Sequence, residues 1–253
     1  GWNTPEDFVR YVVNDMMGLA REDLVYDVGR HVDGSVHLLE EWGLPIWKKD
    51  NGEYERIGRW QIPIHGESIK PITAEPARKA LGEGNLYERV SITHLLTAAD
   101  DPGRIAGAIG FGVRENALYV FKAKAVIITT GGASNVFRPR SNGEGLGRTW
   151  YSVFATGSAY GLMIPVGTEM TQMEHRFVPT RFKDGYGPVG MWFQYFHARV
   201  TNALGEDYTV TRADELKKYE PYGSAIPTPT PLRNHQMFLD IRAGLGPMYM
   251  RTE

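Results

Sequence analysis

The sequence predicts an α/β fold, and three observations carry that expectation. Amphipathic helical stretches open the chain, a run of short β-type segments occupies its centre, and an apolar segment then enters a glycine-rich loop that opens a further helix. The first helix is announced by Thr4-Pro5-Glu6-Asp7, an N-cap followed by proline at the first helical position and acids in the first turn. Phe8, Tyr11, Val12, Met16 and Leu19 then recur at helical spacing. A second helix is predicted over residues 22–42, with Leu24, Val28, His31, Val32, Ser35, Leu38 and Leu39 on one face and Gly43 as the residue just past its end. Residues 45–63 read as irregular and aromatic, and residues 73–81 as a short helix despite Pro76.

The central β-type runs cover residues 90–96, 105–113, 118–121 and 125–129, separated by Asp-Pro-Gly and Glu-Asn turn signals. They predict a meander ending in a buried strand. That strand, Val126-Ile127-Ile128-Thr129-Thr130, runs into Gly131-Gly132-Ala133-Ser134; after Arg138 and Arg140, Gly143-Glu144-Gly145 opens a long helix reaching about Gly167. A strand over 169–173, a helix near 213–219 and a last helix over 233–243 complete the reading, with a domain boundary near Val178. The two expected domains are residues 1–177 and 178–253.

Composition bounds the function. The 253 residues are 42% hydrophobic and 23% charged, enough for one large domain or two modest ones. A net charge of −2 without a long run of either sign argues against nucleic acid or an anionic membrane surface as the main partner. No apolar stretch reaches the roughly 18 residues a membrane span requires. The chain has no cysteine, which excludes a disulfide scaffold and any iron–sulfur cluster held by its own thiolates. His31 and His37 lie at no metal-ligand spacing, and no metal site is expected. Neither an initiator Met nor a signal-peptide pattern opens the chain, and both ends are expected to lie inside a longer protein.

The unit from Val126 to Trp150 carries the strongest chemical signal. Glycines at a strand end let the backbone approach a ligand closely, and a helix N-terminus offers free N–H groups and the positive end of its dipole. A cofactor with phosphates and polar ring edges suits that arrangement; a tight turn before a core helix is the plainer alternative.

Meander, Thr-Gly-Gly strand end and Gly-acid-Gly helix opening together resemble the FAD domain of the fumarate reductase/succinate dehydrogenase flavoproteins. The resemblance implies a glutathione-reductase-like Rossmann domain with a β-meander, followed by part of an α+β capping domain. The glycine fingerprint such proteins carry on their first strand is absent and is expected in a preceding segment. Within that superfamily, Arg59-Trp60-Gln61-Ile62 with His65-Gly66-Glu67-Ser68, Arg138-Pro139-Arg140-Ser141, Gly147-Arg148-Thr149-Trp150-Tyr151, the run from Arg176 to Gly190, Pro231-Leu232-Arg233-Asn234-His235 and Pro247-Met248-Tyr249-Met250 are similar to the adenylylsulfate reductase α subunit.

That likeness implies the interconversion of adenosine 5′-phosphosulfate with AMP and sulfite, a non-covalent FAD whose N5 forms an adduct with sulfite, and a cytoplasmic heterodimer with a β subunit bearing two [4Fe–4S] clusters. It assigns Arg181 to the sulfate end of the nucleotide, where a guanidinium fork neutralises sulfonate oxygens. Trp150 is placed near the flavin on the electron path, and Glu67 on the substrate side. FAD contacts are assigned to Thr130, Gly131, Gly132, Ser134, Ser141, Gly143, Glu144 and Gly145, with Glu144 on a sugar hydroxyl. Trp60 is read as packing and His65 as a structural histidine. Two other readings stand beside this one. A dicarboxylate oxidoreductase of the fumarate, succinate or aspartate type would use Arg176, Arg181 and Arg233 for its carboxylates. A non-catalytic interaction subunit would use the aromatic Met191–Phe196 segment for docking.

Overall fold

The structure, a computed structural model, describes residues 4–57, 62–133, 136, 154–174 and 197–252. Contacts divide them into two compact units, one built from residues 4–79 with 197–252 and the other from residues 80–174. The boundary expected from the sequence, near Val178, lies outside the described residues; the contacts join the described parts near the two ends of the chain in one unit.

In that unit, helix α1 (Pro5–Asp15) starts on a capping box. The Asp7 amide donates to Thr4 Oγ1 at 3.2 Å and the Thr4 amide to Asp7 Oδ2 at 3.3 Å, so two otherwise unpaired N–H groups are satisfied reciprocally. Helix α2 (Glu22–Glu41) packs on α1 where Gly29 lets the helices close up, since a Cβ there would lie 3.1 Å from the Phe8 ring. It stops at a Schellman motif, with Gly43 N–H on the Glu40 carbonyl at 2.8 Å and Leu44 N–H on the Leu39 carbonyl at 2.9 Å. Gly43 holds φ at 96°, which explains why glycine stands there, and Leu44 is buried behind it. A small β arrangement follows, then helix α3 (Ile69–Leu81), which begins before the expected residue 73 and contains Pro76.

The carboxy-terminal part holds strand β4 (Arg199–Thr201) antiparallel to β5 (Tyr249–Arg251), with Val200 opposite Met250. Between β4 and β5 lie the one-turn helices α5 (Tyr208–Thr211) and α6 (Ala213–Leu216) and the longer α7 (Thr230–Arg242). Val200, Tyr208, Leu216 and Leu232 form their buried core. The two ends of the chain meet through side chains: Asn14 Nδ2 donates to the Pro227 carbonyl at 2.9 Å, and the Thr230 amide donates to Asp15 Oδ1 at 2.9 Å. Asp15 thereby caps α7, whose own N-cap residue is Pro229 and supplies no side-chain acceptor. Asp15→Ala is expected to cost about 1 kcal/mol, the usual worth of an N-cap. Faster amide exchange at the start of α7 checks this; unchanged protection would mean the cap is dispensable.

The second unit is the expected meander: β1 (Val90–Thr97), β2 (Ile105–Gly112) and β3 (Leu118–Lys122) pair antiparallel in that order. Tyr119 and Phe121 share one face, and Tyr87 meets the Phe121 ring edge-on at 5.1 Å. Helix α4 (Ser158–Met163) packs against β1, with Leu162 buried. Three expectations differ from what is observed. Residues 125–129 form no strand, and Ile127 is 90% exposed. An apolar run becomes a strand by pairing its edges, and among the described residues no strand offers it one. Residues 169–173 are likewise irregular, and in the described part of the expected long helix, regular structure starts only at Ser158. Among the described residues no helix is long and apolar enough to cross a membrane.

Candidate functional site

Of the residues singled out from the sequence, the structure describes Glu67, Thr130, Gly131 and Gly132. Trp150, Arg181, Ser134, Ser141, Gly143, Glu144 and Gly145 lie outside the described residues. Glu67 belongs to the first unit and the Thr130–Gly132 stretch to the second.

Thr130, Gly131 and Gly132 are exposed, in irregular backbone. Gly131 holds φ at 81°, a conformation that L side chains rarely adopt. A Cβ at Gly131 or Gly132 would meet nothing within 4 Å, so the bare backbone is open to an approaching flat or phosphorylated group. Gly157 closes this loop. Its φ is 74°, and a Cβ there would come 3.0 Å from Val136 and 3.2 Å from Ala133, so only glycine lets the chain return so near the Gly-Gly step. The sequence reading passed over Gly157; its signal was a glycine immediately before the Ser158 helix start.

Glu67 sits in a single 3-10 turn, Gly66–Ser68, leading directly into α3, and its side chain is exposed. The turn is fixed to the preceding chain by the His65 amide on the Pro45 carbonyl at 3.1 Å and the Ser68 amide on the His65 carbonyl at 3.2 Å. His65 Nδ1 is hydrogen-bonded to Ser68 Oγ, which fits a structural histidine.

Two polar clusters escaped the sequence reading. In the first, the Glu40 carboxylate pairs with Lys48 and accepts the Tyr54 hydroxyl at 2.5 Å, and that hydroxyl also lies 2.9 Å from His37 Nδ1. The bonds from Lys48 and Tyr54 hold the Glu40 carboxyl below its usual range, and the Tyr54 phenol is pushed up to about 12 by its bond to Glu40. At neutral pH the carboxylate is charged and the phenol is a donor. In the second cluster, Asp240 is 1% exposed and accepts from Arg212 Nε at 2.6 Å and Asn202 Nδ2 at 2.9 Å. Gln236 and Asp240 follow Leu232 at four-residue steps and are buried with it, two polar groups on an inward face that a hydrophobicity pattern does not flag. Nearby, the Tyr219 hydroxyl lies 3.2 Å from His235 Nε2.

No protein-family model matches the chain. Among curated proteins, the adenylylsulfate reductase subunit alpha of Megalodesulfovibrio gigas is 52% identical over the whole of this chain, which spans 41% of that relative. The chain is related over its whole length to the adenylylsulfate reductase α subunit. Among solved structures, the adenylylsulfate reductase of Archaeoglobus fulgidus matches 98% of the chain at 63% identity and a TM-score of 0.93, the match covering 39% of that protein. An adenosine-5-phosphosulfate reductase in complex with sulfite as a covalent adduct matches over the same shares at 63% identity and a TM-score of 0.92. The Escherichia coli quinol fumarate reductase flavoprotein shares the fold, with a TM-score of 0.70, at 18% identity. The chain therefore spans about two fifths of the adenylylsulfate reductase relatives, and their likeness to it far exceeds that of the dicarboxylate enzyme.

Proposed function

We propose that the protein to which this chain belongs interconverts adenosine 5′-phosphosulfate with AMP and sulfite, using FAD. The observation that carries the reading is the 63% identity, over 98% of the chain, to a reductase solved in complex with sulfite. The residues present fit the cofactor: an exposed, side-chain-free step at Gly131 and Gly132, fixed by a positive φ, admits a polar ring edge or phosphates at backbone distance. FAD supplies two-electron exchange. Thr130, Gly131 and Gly132, with Ser134, Ser141, Gly143 and Gly145, would hold it, and Glu144 would take a sugar hydroxyl.

Arg181 grips the sulfonate oxygens and neutralises the charge that develops as the S–O bond to AMP breaks. Trp150 would lie near the flavin on the electron path, and Glu67 would take a polar role on the substrate side. In this reading the electrons are passed by a β subunit carrying two [4Fe–4S] clusters, in a cytoplasmic heterodimer; the absence of cysteine from this chain is consistent with clusters held by a partner. By function, the reading assigns residues 1–177 to the flavin side and residues 178–253 to the start of the capping side, a division distinct from the two units that the contacts define.

Gly131→Ala is expected to cost about 1 kcal/mol through its positive φ alone, since the position has room for a methyl group. The purified variant should retain less flavin, read as visible absorbance per protein; full occupancy would remove Gly131 from the cofactor site. The reaction itself is tested by supplying AMP and sulfite to the intact complex with an artificial electron acceptor. Acceptor reduction that requires both substrates supports the proposal. Reduction by succinate alone would place the protein with the dicarboxylate enzymes.

A further inference from the structure

We infer that Glu40 is a positioning residue for the Glu67 turn, acting through Lys48 and Tyr54 to set how tightly substrate is held. The inference rests on the substrate-side role proposed for Glu67. A continuous series of contacts joins the two acids. Glu40 lies in the last turn of α2, and Trp42, the glycine stop and buried Leu44 separate that helix from the extended segment beginning at Pro45.

That segment runs between two neighbours. On one side it forms a hairpin, with Lys48 bridged to Tyr54, the Glu55 amide on the Trp47 carbonyl at 2.9 Å and the Lys49 amide on the Glu53 carbonyl at 2.8 Å. On the other side Ile46 bridges Ile64, the Trp47 amide reaches the Pro63 carbonyl at 3.3 Å, and the His65 amide returns to Pro45. Residues 45–48 are thus the middle of three extended segments joined by single β-bridges, and the far segment continues straight into the turn bearing Glu67.

Glu40 grips this arrangement from the helix side. Lys48 and Tyr54 are directly opposite each other across the hairpin, and both end on the same carboxylate. Lys48 Nζ also lies 5.3 Å from the centre of the Tyr54 ring, and His37, with Asp33 at 3.8 Å, supports the phenol from the next turn of α2. Side chains this exposed add little net stability, because water competes for each ion pair. What three convergent bonds do fix is direction: they hold the middle segment at one angle to α2, and the Glu67 turn follows that segment. A residue with this role changes substrate affinity more than melting behaviour.

The test uses the full-length α subunit purified with its iron–sulfur partner, assayed for adenylylsulfate reduction. Glu40→Ala is expected to raise KM for adenylylsulfate about tenfold while kcat stays within about twofold, a loss of uniform binding. Its melting temperature should stay that of the wild type. Glu40→Gln, which still accepts from Tyr54, should give a smaller rise. The decisive variant is the pair Glu40→Ala with Glu67→Gln: if Glu40 acts through Glu67, the pair has the KM of Glu67→Gln alone. An unchanged KM in Glu40→Ala, or fully additive effects in the pair, overturns the inference while leaving the reaction intact. A silent Glu67→Gln overturns the Glu67 role and the inference with it, and a wild-type complex inactive on adenylylsulfate overturns the proposed reaction as well.

Discussion

Replacing Arg181 by alanine is expected to lower turnover roughly a hundred- to a thousandfold, the scale on which enzymes lose rate when one donor to a developing oxyanion is removed. The argument starts from charge. Sulfite and AMP are both anions, so breaking the S–O bond concentrates negative charge on the departing phosphate oxygen and on the sulfonate oxygens. A guanidinium presents paired N–H donors in a fixed plane and cannot lose its proton, which suits a sulfonate better than any other side chain. Arg181→Lys should therefore recover only a small part of the loss, because an ammonium supplies a point charge without the fork. AMP carries no sulfonate, so its affinity should fall much less than that of adenylylsulfate. Flavin content should be unchanged, which separates this effect from cofactor loss. Near-normal turnover in the alanine variant would remove Arg181 from the reaction.

The largest effect on stability is expected at Asp240. Both of its oxygens accept from donors, Arg212 on one and Asn202 on the other, and the carboxylate itself is almost wholly out of water. Breaking such a pair leaves a charge and an amide without their acceptor, and Asp240→Ala should cost about 3 kcal/mol. Asp240→Asn tests the chemistry more sharply than the truncation does. It has the same shape, but one of its two positions becomes an NH2 facing another donor, so it should destabilise nearly as much. Thermal unfolding of the intact subunit measures both. An asparagine variant as stable as the wild type would mean that one of the two donors finds water instead.

The legibility of the sequence followed the range of the interactions. Helices α1 and α2 were readable because their signals are local: Thr4 and Pro5 at one start, Gly43 at one stop, and apolar residues at helical spacing between. The three meander strands were found within one or two residues of their ends, since alternating runs and turn residues mark them. Long-range features were not readable in the same way. Nothing near Thr230 announces that its helix is capped by Asp15, and the two short strands β4 and β5 are defined by each other across nearly fifty residues. The stretch around Ile127 had the composition of a buried strand, but composition does not supply a partner edge.

The candidate site divides similarly. The glycine step was legible because two adjacent glycines follow an apolar run, whereas Gly157 stands alone in sequence and its left-handed φ and close approach to Ala133 and Val136 emerge only in the fold. Arg181 and Trp150 rest on resemblance, since the chemistry of a lone arginine or tryptophan is not written in its neighbours' spacing. The cluster around Glu40 joins helix and hairpin, and no local pattern brings Glu40, Lys48 and Tyr54 together.

The protein is proposed to be a flavin enzyme acting on the sulfur of adenylylsulfate. The most direct test is a sulfite titration of the full-length protein, purified with its partner and followed by flavin absorbance. Sulfite is expected to bleach the visible flavin band, and the band is expected to return when AMP and an electron acceptor are added. A flavin that ignores sulfite and, once reduced, is reoxidised by fumarate would contradict that proposal.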